Sequence, residues 1–374
     1  MGIHFNPMVL HYLVYAVAAL LALSGASFMR VGAAPVQAAV VASPVPASVE
    51  LARPQPAFRL AEAEPKAIVL AGDRDFAFPM TVALHSALSR FDRREAVNVF
   101  LLSQGVSAAD QERSLKAVEG VHPRATVEWI DVDGADVSDL PIGLWHSRGM
   151  YLRLLIPSLL PEHYRRVLYM DGDIVVKRDL SALWRLDTGD HAVMAVQNFS
   201  DPTLGTAMPH LLAHIDAPTD RGYFNSGVLF MDLPRWRERQ VVERTMAFIR
   251  RHKEQLAFGD QDGLNAAFAG DWGRLDPGYN VQLLTLNRFG GDAGDDPHGL
   301  REQLLREAAM LHYTGPQKPW NRRYAGAASG DFLEAAARSG WLRSSPGLWK
   351  AEHAAAHFAV RQAALLKGAL RSRA

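Results

Sequence analysis

The chain has 374 residues, with 40 Lys and Arg balanced by 40 Asp and Glu. That length accommodates two domains, or one large α/β domain with appendages, and 48% hydrophobic against 21% charged residues excludes a disordered chain. The balanced charge removes the global basic field that nucleic-acid binding requires, and zero cysteines exclude disulfides, thiolate-bound zinc, iron–sulfur clusters and a thiol nucleophile.

The first feature along the chain is an uncharged apolar run, Tyr12–Met29, within an N-terminal hydrophobic segment over residues 1–30. Its eighteen residues just suffice to span a bilayer as a helix, so a membrane anchor is the leading expectation. A cleaved signal peptide fits the small residues at Gly32, Ala33 and Ala34, although no Lys or Arg precedes the run. A start upstream of the true one, at Met29, is the third reading. Arg30 is the first flanking charge, which places the downstream domain on the cytoplasmic face. Residues 31–64 are rich in Ala, Val and Pro (Pro35, Pro44, Pro46, Pro54, Pro56) and read as a semi-rigid tether. The folded domain is expected over residues 65–345.

Within it, Ala67–Ala71 is a continuous apolar run of the kind a parallel strand buried on both faces requires. A helix follows over Met80–Arg90, then a strand over Ala96–Leu102. Ser107 and Asp110 form a capping-box pattern for a helix to about Val118. Thr126–Val132 is the third strand, Leu144–Leu155 and Pro161–Tyr164 read as helical, and Arg166–Met170 is the fourth strand. This alternation predicts an α/β domain with a doubly wound, mainly parallel sheet, helices on both faces, and ligands at the carboxyl ends of the strands. No dinucleotide fingerprint or P-loop occurs. A basic C-terminal helix is expected over 346–374. It carries Lys350, Arg361, Lys367, Arg371 and Arg373 beside Trp349, Phe358 and Leu365, and it can rest on anionic lipid.

Four segments carry chemistry. Asp171-Gly172-Asp173 directly follows the strand Arg166–Met170. Two carboxylates two residues apart on extended backbone project to the same side and then require a cation, although Asp-Gly is also ordinary turn chemistry. His312-Tyr313-Thr314-Gly315-Pro316-Gln317-Lys318-Pro319-Trp320 offers a metal-ligating His and a phosphate-binding Lys on a loop stiffened by proline. Phe258–Asn265 opens an apparent helix with Asp260, Gln261 and Asp262 at its positive end, where Asp260 can equally be a plain N-cap. In Tyr223–Phe230, Asn225-Ser226-Gly227 leads into the apolar run Val228–Met231, and its plain reading is a turn into a strand. His353 and His357 stand four apart on the expected tail helix, but no Glu lies between them and no third ligand is in view, so they read as a solvated face. Asn198-Phe199-Ser200 matches a glycosylation sequon that matters only in a secretory lumen.

These four motifs, in this order, with the opening IVLAGDRDFAFPM and the mid-chain MYLRLLIPSLLP, resemble glycosyltransferase family 8. That family holds the retaining enzymes of the glycogenin and bacterial lipopolysaccharide galactosyl- and glucosyltransferase type. The resemblance runs from about Lys66 to Trp341. It implies a GT-A-type, Rossmann-like fold and transfer of a hexose from UDP-glucose or UDP-galactose to a glycan, glycolipid or other hydroxyl acceptor. It implies Mn²⁺ (or Mg²⁺) held by Asp171, Asp173 and His312. Ala71, Asp73, Asp75 and Phe76 match the edge that binds base and ribose, and Arg153 matches a contact to the sugar nucleotide. Gly315 and Lys318 match the diphosphate loop, with Lys318 assisting departure of the leaving group. Asn225, Asp260 and Gln261 match the donor-sugar and reacting face. Three positions depart from the family pattern: Phe76 replaces a common Tyr, Asp75 replaces an amide, and Asn198 stands where some galactosyltransferases have an acceptor-binding Asp. Gln261 is a poor nucleophile, so same-face attack is the expected route to retention. Two alternatives are a haloacid-dehalogenase-type phosphatase, which also places Asp-x-Asp after a strand, and a catalytically silent sugar-nucleotide-binding protein.

Overall fold

The computed structural model describes residues 65–341 apart from 133, 135–136, 138, 142–147, 289–298, 321–325 and 327. The apolar N-terminal run, the tether, the basic C-terminal segment and the His353/His357 pair lie outside the described residues. Among the described residues no helix is long and apolar enough to cross a membrane.

The opening strand β1 (Lys66–Asp73) pairs in parallel with β2 (Val97–Gln104) on one side and with β4 (Arg166–Met170) on the other, and β3 (Ala125–Asp131) extends the parallel edge beyond β2. Successive β1 residues enter two different cores. Ala67, Val69 and Ala71 join one, while Ile68 and Leu70 join the other, so both faces of the strand are dry. At about 1.5–3 kcal/mol for each fully buried large apolar side chain, this strand anchors the sheet. The helix Ala77–Arg90 covers one face with Met80, Ala83, Leu84, Ala87 and Leu88. Ser107 caps the helix Ala108–Val118 by accepting from the Asp110 amide, as its sequence pattern predicts. The opposite face is covered by Tyr151, Leu152, Leu154 and Ile156 and by Trp236, Ile249 and Leu264 from later helices.

Beyond β4 the sheet ceases to be parallel. A short β5 (Ile174–Val176) leaves it, β6 (Val193–Gln197) follows, and β7 (Phe224–Asp232) inserts antiparallel between β4 and β6. With β8 (Gly273–Arg274) the order is β3-β2-β1-β4-β7-β6-β8. The fold is therefore α/β with a mixed, mainly parallel sheet between helices. A second sheet joins β5, β9 (Val281–Gln282) and β10 (Met310–His312), in the order β5-β10-β9.

Two local expectations need correction. Pro161–Tyr164 is a single turn closed by the Tyr164 amide on the Pro161 carbonyl, because Leu160 has already ended the preceding short helix Ile156–Leu159. The described part of Leu144–Leu155 is a 3₁₀ helix over Arg148–Leu155, not an α-helix.

Candidate active site

The Asp171–Asp173 segment is a turn between β4 and β5 rather than continued strand. The turn and the convergent carboxylates turn out to be compatible. Antiparallel pairing of β4 with β7 brings Asp171 against Gly227, whose carbonyl accepts from the Asp171 amide at 2.8 Å. Pairing of β5 with β10 brings His312 opposite Ile174, and the Tyr313 amide donates to the Asp173 carbonyl at 3.0 Å. Two sheets thus meet at one point.

There His312 Nε2 stands 3.2 Å from Asp173 Oδ1 and 3.7 Å from Asp171 Oδ2. One ligand atom from each of the three residues lies within 4.8 Å of the others. Ligands held about 2.1 Å from a hard divalent ion at octahedral angles stand about 3 Å apart, so this donor set fits such an ion. Asp173 and His312 are buried and Asp171 is half-buried. Burial alone would raise the Asp173 carboxyl, but Lys318 and His312 beside it hold it well below the usual carboxylate range. Lys318 Nζ donates to Asp173 Oδ2 at 2.5 Å and to the Tyr313 carbonyl at 2.9 Å. The ammonium therefore already neutralises one of the paired carboxylates.

Arg153 is 5% exposed, and each of its three side-chain nitrogens meets a protein acceptor. Nη2 donates to Asp171 Oδ1 at 2.8 Å, Nη1 to the Ser226 carbonyl and hydroxyl, and Nε to the Met150 carbonyl, with Asp260 Oδ2 at 3.2 Å. Its guanidinium also lies over the Tyr169 ring, whose hydroxyl donates to Asp171 at 2.6 Å. In this arrangement Arg153 ties Asp171 to Asp260.

Asp260 does not cap its helix. That helix spans Gly259–Phe268, and Asp262 instead accepts from the Ala257 and Phe258 amides. Burial pushes the Asp260 carboxyl up to about 6, with Asp171 adding to the rise and Arg153 opposing it. Between about pH 4 and 6 the folded chain thus keeps a proton that the unfolded chain has released. The stability this supplies falls as pH rises through that window and is gone above about 6. Asp260→Asn removes the effect. The stability of the native protein minus that of the variant, from urea melts, should fall by roughly 3 kcal/mol between about pH 4 and 7. A difference independent of pH would mean that Asp260 ionises normally.

Gln261 is also buried, and its side-chain oxygen accepts from Asn225 Nδ2 at 3.0 Å and from the Ser226 amide at 3.1 Å. Asn225, Ser226 and Gly227 lie within β7 itself, not in a turn before it. Around the rim, Asp73 accepts from the Asp75 amide at 3.1 Å, and Phe76 meets Trp320 edge-on at 5.8 Å between centroids. Ala71 is buried near the end of β1, and Asp75 is exposed. Gly315 adopts φ +88°, a conformation that favours glycine, and a side chain there would press on Leu284. Lys318 and Trp320 sit on the same loop, with the ammonium 5.9 Å from the indole centre. Direct contacts therefore join Asp171, Asp173, His312, Lys318, Arg153 and Asp260, and Asn225 joins Gln261, while Phe76 reaches the Lys318 loop through Trp320. Sequence reasoning passed over Asn280, and it gave no individual role to Tyr223, Ser226 and Gly227 inside the fourth motif or to Tyr169 inside the fourth strand; all five are neutral residues outside any metal-ligand pattern.

Comparison with known proteins identifies the family. The model of glycosyl transferase family 8 matches residues 67–323. General stress protein A of Bacillus subtilis (strain 168) is 27% identical over 259 residues, covering 68% of this chain and 87% of that protein. The lipopolysaccharide 1,2-glucosyltransferase of Escherichia coli (strain K12) is 30% identical over 236 residues, 63% of this chain and 67% of its own. Among solved structures, a galactosyltransferase, LgtC, in complex with donor and acceptor sugar analogues superimposes with a TM-score of 0.61 at 26% identity. The likeness covers 76% of this chain and 99% of that one. A family match over more than half the chain removes the phosphatase alternative. The chain belongs to glycosyl transferase family 8 and is a glycosyltransferase.

Proposed function

We propose that this enzyme transfers a hexose from UDP-glucose or UDP-galactose to a hydroxyl of a glycan or lipid-linked acceptor, with retention of anomeric configuration. The observation that carries the proposal is the Asp171–Asp173–His312 cluster at the carboxyl end of the parallel strands, where open α/β sheets take their ligands. A glucosyltransferase and a galactosyltransferase among the relatives support a hexose donor. A bound Mn²⁺ or Mg²⁺ would supply charge neutralisation for the leaving diphosphate. The test is a thermal-shift screen of UDP-glucose, UDP-galactose, UDP-N-acetylglucosamine and UDP-galacturonate, with and without Mn²⁺. Stabilisation by UDP-glucose or UDP-galactose only when the ion is present is expected. Stabilisation by none of the four would overturn the reading.

Within that reading, Ala71, Asp73, Asp75 and Phe76 bind base and ribose, and Gly315 lets the loop backbone approach the diphosphate. Asn225, Asp260 and Gln261 face the sugar, and Arg153 holds Asp171 and Asp260 in place. The Gln261 oxygen has two lone pairs, and both are engaged by donors. That supports attack by the acceptor on the face the diphosphate leaves, over a covalent intermediate on Gln261.

Lys318 has a second task in this scheme. Once an ion shares the carboxylates, its ammonium is free to meet charge developing on the leaving group. Lys318→Ala should lower kcat by roughly tenfold, about the worth of one charge-assisted hydrogen bond, with a smaller change in donor affinity. A rise in KM at unchanged kcat would assign Lys318 to ground-state binding instead.

Membrane association belongs to the same proposal, through the Tyr12–Met29 run and the basic tail, with the catalytic domain on the cytoplasmic face. Fractionation of the full chain, of one starting at Ala61, and of one also ending at Ser345 tests it. All three staying soluble at low salt would rule out both contacts.

A further inference from the structure

A chain of polar side chains runs behind the metal-ligand cluster, and its direction can be read one bond at a time. At one end, His312 Nδ1 lies 2.8 Å from the side-chain oxygen of Asn280, which is wholly buried. Asn280 Nδ2 donates to Asn225 Oδ1 at 2.9 Å, and Asn225 Nδ2 donates to Gln261 Oε1 at 3.0 Å. Gln261 Nε2 donates to the Tyr223 hydroxyl at 3.0 Å, and that hydroxyl donates to Asp262 Oδ1 at 2.5 Å.

An amide can be turned end for end, so each orientation needs an independent witness. Two backbone donors supply it. The Gly227 amide donates to Asn225 Oδ1 at 3.1 Å, and the Ser226 amide donates to Gln261 Oε1 at 3.1 Å. A backbone N–H cannot reverse its role, so both acceptor atoms are fixed as oxygens. Asn225 Oδ1 must then face the Asn280 NH₂, and the other end of Asn280, its oxygen, must face His312. That oxygen can only accept. Reversing Asn280 alone would set its oxygen against Asn225 Oδ1 at a buried site, placing two acceptors face to face and leaving the Asn280 oxygen without a donor there.

We infer that Asn280 is a positioning residue that keeps a proton on Nδ1 of His312 and so leaves Nε2 as the nitrogen turned toward Asp171 and Asp173. The inference rests on reading those three residues as the metal centre. A ligating imidazole binds through one nitrogen, and the hydrogen bond made by the other decides which. Asn280 makes that decision before any ion arrives, because it is locked by β7 backbone amides rather than by the ion. The same chain links the metal-ligand histidine to Gln261 on the reacting face. The metal site and the sugar-facing amide are thereby held in one register.

The test uses the full chain labelled with ¹⁵N at histidine, with His312→Ala identifying the His312 resonances. The Nδ1–H of His312 should appear as a low-field, slowly exchanging proton both without metal and with Mg²⁺ added. An unprotonated Nδ1 in the metal-free protein overturns the inference and requires no variant. Mn²⁺ affinity, read from the free-ion signal in electron paramagnetic resonance, should fall 10- to 100-fold in Asn280→Leu, with loss of that proton signal. Asn280→Asp keeps an acceptor facing His312 and should recover both readouts in part. Unchanged Mn²⁺ affinity in Asn280→Leu overturns the inference whatever the spectrum. Native protein that binds no Mn²⁺ fails the metal-centre reading instead, while the Nδ1 result still decides the role of Asn280.

Discussion

Asp173→Asn is expected to reduce sugar transfer by about 10²-fold or more, the scale set by removing one preorganised electrostatic stabiliser. Asp173 is the more buried carboxylate of the pair. It is buried, its Oδ1 faces His312 Nε2, and its Oδ2 accepts from Lys318. An amide of the same shape preserves the packing but removes the formal charge that offsets both the ammonium and an incoming divalent ion. Its NH₂ would also point a donor at Lys318 or at His312. Because the carboxyl is held well below its usual range by those neighbours, the substitution also removes stability that the native protein keeps at neutral pH. That contribution is lost in the native protein only as pH falls toward strongly acid values. Comparing transfer rates with excess Mn²⁺ and with EDTA checks the assignment. A variant as active in EDTA as the native protein is with metal would overturn the assignment of a catalytic metal to this cluster.

Much of this fold is legible in sequence because the central strands are buried on both faces. Ala67–Ala71 and Arg166–Met170 read as unbroken apolar runs, and each lies inside a strand with neighbours on both sides. The helix beginning after Ser107 is legible for a local reason, since its cap is made within three residues of itself. Legibility declines where the element depends on distant partners. β9 and β10 are two and three residues long and exist because β10 pairs with β9 on one side and with β5 on the other. Nothing periodic survives at that length. Pro161–Tyr164 has helix-compatible residues but only enough chain for one turn.

The site divides along similar lines. Asp171, Asp173, His312 and Lys318 are legible because their side chains carry charge or ligate metals. Asn280 is invisible because its value lies in two hydrogen bonds to residues 55 and 32 positions away. Arg153 was legible as a site residue, but its partners were not. Those partners depend on the pairing of β4 with β7, which brings Ser226 to its side.

Gly227→Ala should weaken metal binding by more than about 100-fold while leaving the fold in place. A β-carbon at position 227 would lie 2.2 Å from His312 Cε1, 2.9 Å from His312 Nδ1 and 2.8 Å from Asp171 Oδ2. None of those separations is sustainable, so something must move. Gly227 cannot retreat cheaply, because its carbonyl accepts from the Asp171 amide and its own amide holds Asn225. β7 is also paired on both sides in the middle of the sheet. The imidazole is the softer partner, and turning it aside breaks its bond to Asn280 and removes Nε2 from the carboxylates. Overpacking of this kind costs about 1–3 kcal/mol in stability. The loss of a ligand together with its orienting partner should lower Mn²⁺ affinity by more than the roughly 100-fold expected when an orienting partner alone is lost. Gly330→Ala is the matched control, since a β-carbon there meets nothing within 4 Å and the residue lies in the helix Ser329–Arg338. It should bind Mn²⁺ and transfer sugar normally, and be slightly more stable. Electron paramagnetic resonance titration and thermal melts of the two variants side by side separate the effects. Native Mn²⁺ affinity in Gly227→Ala would mean that His312 does not stand between β7 and the carboxylate pair.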